Sequence, residues 1–250
     1  MTRSPSRFAC VPLLLLLLGA LLLAGCGHKR TQAAVPPPPS LPQEKSAPEK
    51  PAATANGAGK IEVPNRAKPI FEQTGIASWY GAPYHNRRGS NGEIYDMNAM
   101  TAAHLTLPLG SIVRVTNVKT GHFVLLRITD RGPFVEGRIL DVSLAAAKAL
   151  DVYLPGTARV RLEVLEAPAA LDTGGRWAVQ IGSLADERSA AELAEHLRQR
   201  YQTAKVLKFA SPTGDWWVRA RVRDDDRQRA QDLVRETQIE EAPVFLVRLD

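Results

Sequence analysis

Between residues 77 and 104 the chain reads ASWYGAPYHNRRGSNGEIYDMNAMTAAH, denser in aromatic, acidic, histidine and glycine residues than a purely structural loop requires. Two shorter runs follow, ITDRGPF at 128–134 and GRILDVS at 137–143. Carboxyl groups and an imidazole gathered in turns are the side chains of proton transfer. Asp130 ends an apolar strand at a Thr-Asp-Arg-Gly-Pro turn, which takes a carboxyl partly out of water, the setting a general acid or base needs. The competing account is that Asp130 caps that turn and pairs with Arg131, as such turns commonly do. Glu93 and Asp96 lie three apart after Asn91-Gly92, and His104 follows eight residues later. Each alone reads equally well as a solvated turn acid or a satisfied structural histidine; with Asp130 they make a candidate site. Trp79 and Tyr80 supply flat rings, which in a small barrel are as often core as contact surface.

Other chemistries fit less well. His85, His104 and His122 accompany Asp96 and Asp130, but none is spaced as on a helix or belongs to a zinc motif, so no metal or cofactor is expected. No Gly-x-Ser-x-Gly elbow is present for serine hydrolysis. The elements that must hold the turns are short strands. Residues 111–117, 122–129 and 159–166 alternate, the last setting Val160, Leu162 and Val164 against Arg159, Arg161 and Glu163. Residues 143–150 read as one helix capped by Ser143. Residues 71–166 are thus a mostly β domain, most simply a small barrel.

Ahead of it, Arg3 and Arg7 precede an apolar run over 11–23, the pattern of a secretory signal at residues 1–25. The run is shorter than the ~20 apolar residues of a membrane span. It ends at Leu23-Ala24-Gly25-Cys26, which resembles the bacterial lipobox, whose cysteine is acylated and becomes the first mature residue. Gly27 stands where an aspartate commonly retains lipoproteins at the inner membrane, so the resemblance implies outer-membrane anchoring through Cys26, facing the periplasm. An ordinary secretory signal is the alternative. With Cys10 in the leader and Cys26 acylated, no disulfide or thiol nucleophile remains. Residues 26–70 hold nine of the eighteen prolines and few large apolar residues, a disordered tether reaching roughly 100 Å at ~3.1 Å per residue. The net charge of +6 sits in leader and tether: residues 71–170 carry ten basic and nine acidic groups, residues 171–250 thirteen and fourteen. That balance argues against a nucleic-acid-binding face.

The three chemistry-bearing runs closely resemble the rare lipoprotein A (RlpA) family, septal-ring lytic transglycosylases whose catalytic part is a six-stranded double-psi β-barrel related to expansins. The resemblance spans about residues 74–152 and departs where HGR-x-TANGE is usual and this chain has His85-Asn86-Arg87-Arg88-Gly89-Ser90-Asn91-Gly92-Glu93. It implies cleavage of the glycosidic bond on the reducing side of N-acetylmuramic acid in peptide-free glycan strands. The sugar's own 6-hydroxyl attacks the anomeric carbon, so one acid/base group serves both steps and a 1,6-anhydro end results. The resemblance places Asp130 on the catalytic aspartate and Glu93, Asp96 and His104 on activity-linked positions. Trp79, Tyr80 and Arg131 are assigned to glycan contact.

After a short linker at 167–175, residues 176–250 read strand, helix, strand, strand, helix, strand, a ferredoxin-like α+β pattern. Trp177-Ala178-Val179-Gln180-Ile181-Gly182-Ser183-Leu184 resembles the opening strand of SPOR domains, which bind septal peptidoglycan lacking stem peptides; Leu184 replaces the usual phenylalanine. An open sheet face showing Gln180, Ser183, Trp217 and Arg219 is the expected glycan surface. An RNA-recognition motif has the same shape, but export and balanced charge argue against it. The expectation is a monomeric lipoprotein that binds peptidoglycan glycan strands and works beside division-septum proteins. The alternative is an expansin-like protein that binds or loosens wall without breaking a bond.

Overall fold

The computed structural model describes residues 68–201, 205–237 and 242–250; the expected signal peptide, Cys26 and nearly all of the tether lie outside the described residues. Six strands, β1 (Phe71–Trp79), β2 (Thr101–Ala103), β3 (Ile112–Asn117), β4 (Phe123–Asp130), β5 (Arg138–Val142) and β6 (Thr157–Glu166), close a barrel in the order β1-β5-β2-β4-β3-β6. The pairs β1–β5 and β2–β4 are parallel and the rest antiparallel. Inward positions of alternating strands fill the interior: Val113, Val115, Leu126, Ile128, Leu140, Val160 and Leu162 are fully buried. Helix α1 (Leu144–Ala149) is capped as expected, the Ser143 hydroxyl oxygen accepting the Ala146 N–H at 3.2 Å. The alternation of β6 breaks at Glu163, which is buried and lies 3.6 Å from Arg114 and 3.8 Å from Arg161.

The second unit of structure runs β7 (Trp177–Leu184), α2 (Glu187–Arg200), β8 (Lys205–Ala210), β9 (Trp216–Arg221), α3 (Arg227–Glu236) and β10 (Val244–Arg248), with sheet order β10-β7-β9-β8. Asp186 and Asp226 cap the two helices, each accepting a backbone N–H at 2.8 Å. Val179, Ile181, Val218 and Ala220 pack under Ala190, Ala194 and Leu197 of α2 and Ala230 and Leu233 of α3. Gly182 has φ +147°, and a Cβ there would stand 2.8 Å from the Trp217 ring, so only glycine lets β7 and β9 approach there.

The other sheet face corrects an expectation. It is not open: Trp217, Phe245 and Val247 form a small core with Leu105 and Phe134 of the barrel's loops. Alternation places Trp217 on the outer face, but a ring with this much apolar area is covered when an apolar partner is within reach. The linker, too, is tied down. Ala167 and Leu171 pack on the barrel core, and the Arg248 guanidinium donates to the Ala170 carbonyl at 2.6 Å.

Candidate active site

Strand β2 is only three residues long, but it sets the site. Its Ala103 is in register with Asp130 of β4 on one side and Asp141 of β5 on the other. Register partners on neighbouring strands present their side chains to the same face, and two strand spacings set these backbone positions about 10 Å apart. Both carboxyls line a cleft of about 460 Å³, together with Tyr80.

Asp130 is held by its neighbours. Its Oδ1 accepts the Ser90 N–H at 2.9 Å, the Ser90 hydroxyl at 2.5 Å and the Arg131 N–H at 2.8 Å, which fixes the carboxyl's orientation. Among the described residues Oδ2 has no hydrogen-bond partner. The Asp141 side chain is largely buried. Burial pushes its pKa above the usual aspartate range, against the Ser78 hydroxyl donating at 2.6 Å and the Arg138 guanidinium at 3.5 Å. Tyr80 stacks on Tyr95 with ring centroids 4.4 Å apart. Burial, and next the Asp130 carboxylate, hold its phenol well above the ordinary value, so it is a neutral donor. Its buried hydroxyl has no hydrogen-bond partner among the described residues.

The remaining expected site residues lie elsewhere or turn inward. Glu93 is exposed and makes a two-pronged ion pair with Arg127, at 3.0 and 2.7 Å, which keeps its carboxyl below the usual range. That pair clamps the 86–96 loop to β4 and so sets Ser90 on Asp130. Asp96 accepts the Asn98 N–H at 2.9 Å and lies 3.8 Å from His85. His104 is buried, and its Nδ1 accepts the N–H groups of Thr106 and Leu107 at 3.1 Å each, so the proton sits on Nε2, which meets Gln73 at 3.2 Å. Burial, then Arg131, hold its pKa at about 3, so it is neutral. Neither Glu93, Asp96 nor His104 lines the cleft. Trp79 is half-buried against the barrel core, 5.1 Å ring to ring from Tyr153, and does not line it either. Arg131 borders the cleft, but its guanidinium points into the protein, donating to the carbonyls of His104 (3.0 Å), Leu107 (2.6 Å) and Asp250 (2.7 Å). Gln180, Ser183, Trp217 and Arg219 do border the cleft. Among the described residues no group of three or more histidine, cysteine, aspartate or glutamate side chains could hold a metal ion.

Comparison with known proteins matches residues 72–162 to the lytic transglycolase family and residues 173–245 to the SPOR domain family. A Neisseria meningitidis protein named endolytic peptidoglycan transglycosylase RlpA is 56% identical over 106 residues, covering 42% of this chain and 44% of that one. Proteins of the same name from Vibrio cholerae (40% over 150 residues, 57% of each chain) and Campylobacter jejuni (54% over 180 residues, 62% and 66%) also match. The chain belongs to the RlpA family. It spans about half the length of the curated relatives it matches. For an RlpA-family chain, the carboxyl that the residue-by-residue reading left out is Asp141. Its run, GRILDVS, stood among the three resembling motifs, but Asp141 within it was assigned no role. Its chemistry depends on burial beside Ser78, across a parallel pairing with β1 that the local pattern does not show.

Proposed function

We propose that this protein is an endolytic peptidoglycan transglycosylase that cuts peptide-free glycan strands to leave 1,6-anhydro ends. The observation that carries this reading is the placement of Asp130 and Asp141 on either side of Ala103, both lining one cleft with the neutral Tyr80 phenol. Glycosidic cleavage requires a proton for the leaving oxygen and relief of positive charge at the anomeric carbon. One carboxyl was expected to serve both steps; the cleft offers two. Asp141, whose burial favours the protonated form, donates its proton to the bridging oxygen as the bond from the anomeric carbon breaks. The 6-hydroxyl oxygen of the same sugar bonds to that carbon and its proton passes to Asp130, whose orientation Ser90 and Arg131 hold. Exchange of protons with solvent resets the pair, and no water enters the product. The Tyr80 hydroxyl donates to a sugar oxygen.

The finer placement follows the same reading. The leader is cleaved before Cys26, the cysteine is acylated, residues 26–70 form the tether, 71–166 the catalytic barrel and 176–250 the peptidoglycan-binding module. The protein is an outer-membrane lipoprotein enriched at the septum and working on glycan as a monomer. The test is mass spectrometry of peptide-free glycan treated with residues 27–250, with Asp130→Asn and Asp141→Asn controls. New anhydro ends that both controls abolish support the reading. Reducing ends would make the protein a hydrolase, and tight binding without cleavage would favour an expansin-like, non-cutting role.

A further inference from the structure

The cleft is built by both modules. On the barrel side it is bordered by Tyr80, Asp130 and Asp141, and on the other by Gln180, Trp217 and Arg219 from the sheet of the last module. The joint is made of core and backbone as well as side chains. Phe134, four residues after Asp130, lies 5.1 Å ring to ring from Trp217 and 5.7 Å from Phe245. The Arg248 N–H donates to the Leu105 carbonyl at 3.0 Å, the Leu109 N–H to the Asp250 carbonyl at 3.2 Å, and Arg131 reaches the same carbonyl at 2.7 Å. The module is therefore seated on the very turn that carries Asp130.

Arg219 is the cation this seating delivers. It projects from β9 over the Phe209 ring, 5.3 Å from its centroid, and its Nε and Nη2 both donate to the Gln180 side-chain oxygen, at 3.0 and 2.6 Å. Gln180 is 2% exposed, so the pair is preorganised. Among the described residues the Nη1 of Arg219 has no hydrogen-bond partner. Burial works against its charge first; of the charged groups near it, Asp130 favours the cationic form, while Arg221, itself paired with Asp225, and Arg131 oppose it. A guanidinium with one edge fixed and another free, set in a cleft beside a carboxyl, is suited to a carboxylate ligand. Peptide-free N-acetylmuramic acid carries such a group, the free lactyl carboxylate, which becomes an amide when a stem peptide is attached.

We propose that the last module forms a wall of the reaction cleft, and that Arg219 binds the lactyl carboxylate of the strand being cut. The two modules then grip one stretch of glycan in one site, and the preference for peptide-free strand is read within that cleft. This inference rests on the transglycosylase reading above, and the test separates the two.

A peptide-free tetrasaccharide of alternating N-acetylglucosamine and N-acetylmuramic acid is too short to bridge two independent binding sites. Its lactyl amide provides the charge-neutral comparison. With residues 27–250, Arg219→Gln is expected to lower kcat/KM for the tetrasaccharide at least tenfold, mainly through KM, and to remove the discrimination between acid and amide. Arg219→Lys, which keeps the charge, is expected to recover part of both. Unchanged kcat/KM on the tetrasaccharide, with loss confined to long strands, would make the module an independent tether and overturn the proposal. So would equal discrimination in the wild type and Arg219→Gln. If the wild type forms no anhydro ends, the transglycosylase reading fails by itself. Calorimetry of the tetrasaccharide with Asp130→Asn and with Asp130→Asn/Arg219→Gln then decides the binding claim: at least tenfold weaker binding in the double variant supports it, and equal binding refutes it.

Discussion

Replacing His104 by glutamine separates two accounts of that residue. In the structure its Nδ1 accepts two backbone N–H groups at 3.1 Å each, and protonation would turn that acceptor into a third donor. Burial, with Arg131 beside it, lowers its pKa from 6.5 to about 3. Below pH 6.5 the unfolded chain takes up a proton that the folded protein refuses, so this group's share of stability is lost as pH falls from 6.5 toward 3. Each pH unit in that window costs about 1.36 kcal/mol, which makes about 2 kcal/mol at pH 5. With a urea slope of about 2 kcal/mol/M, the midpoint falls by about 1 M. Glutamine does not titrate, and its side-chain oxygen can accept the same N–H groups. Urea unfolding at pH 7.5 and pH 5 should therefore show the wild type losing about 2 kcal/mol more than His104→Gln. Equal losses in the two proteins would refute the buried, neutral assignment. The pH profile of kcat adds an independent readout: the variant should keep both limbs, whereas a histidine acting as acid or base would take one limb with it.

Asp141→Asn should lower transglycosylase turnover by about 10²–10⁴-fold, the range for removing a general acid. It should also be more stable than the wild type at pH 7, because the raised carboxyl pKa means that folding there buries a disfavoured charge; the gain should vanish as the pH drops below that pKa, and denaturation at pH 7 and pH 4 checks both. Ser90→Ala removes one of the three bonds on Asp130 Oδ1, at about 1 kcal/mol, and should lower kcat roughly fivefold without changing KM for long strands. Phe134→Ala should cost about 3 kcal/mol of stability and weaken the joint, measured as increased quenching of Trp217 fluorescence by acrylamide.

Strong, local signals were legible in the sequence. The alternation of residues 111–117 and 122–129, the Ser143 cap and the strand-helix order of residues 176–250 emerge, with the strand boundaries shifted by a residue or so. Strands β2 and β5, three and five residues long, have no periodicity to detect, and the end of β1, residues 77–79, falls in the aromatic run that reads as loop. They are the strands that carry the parallel pairings, so the barrel's closure and the Asp130–Ala103–Asp141 row were invisible locally. For the candidate site the reasons are similar. Asp130 was accessible because it ends a long apolar strand. Glu93 and His104 carried the right chemistry by type, yet one pairs with Arg127 and the other holds a backbone turn.

The covered face of the last module shows why alternation alone misleads about binding. Period-two patterning assigns Trp217 and Arg219 to one face and Val218 and Ala220 to the other, and the structure agrees with both assignments. It says nothing about what lies against the first face. Phe134 and Leu105 supply that information from some eighty residues upstream or more, in turns with no regular pattern. Once they are in contact, Trp217 serves the joint, while its strand neighbour Arg219, two positions on, is brought beside Asp130. Of two residues expected on one open glycan surface, Trp217 is taken up by the joint and Arg219 borders the cleft. Apolar area decides which side chain is buried at such a joint, and the joint in turn decides which charge meets the carboxyls.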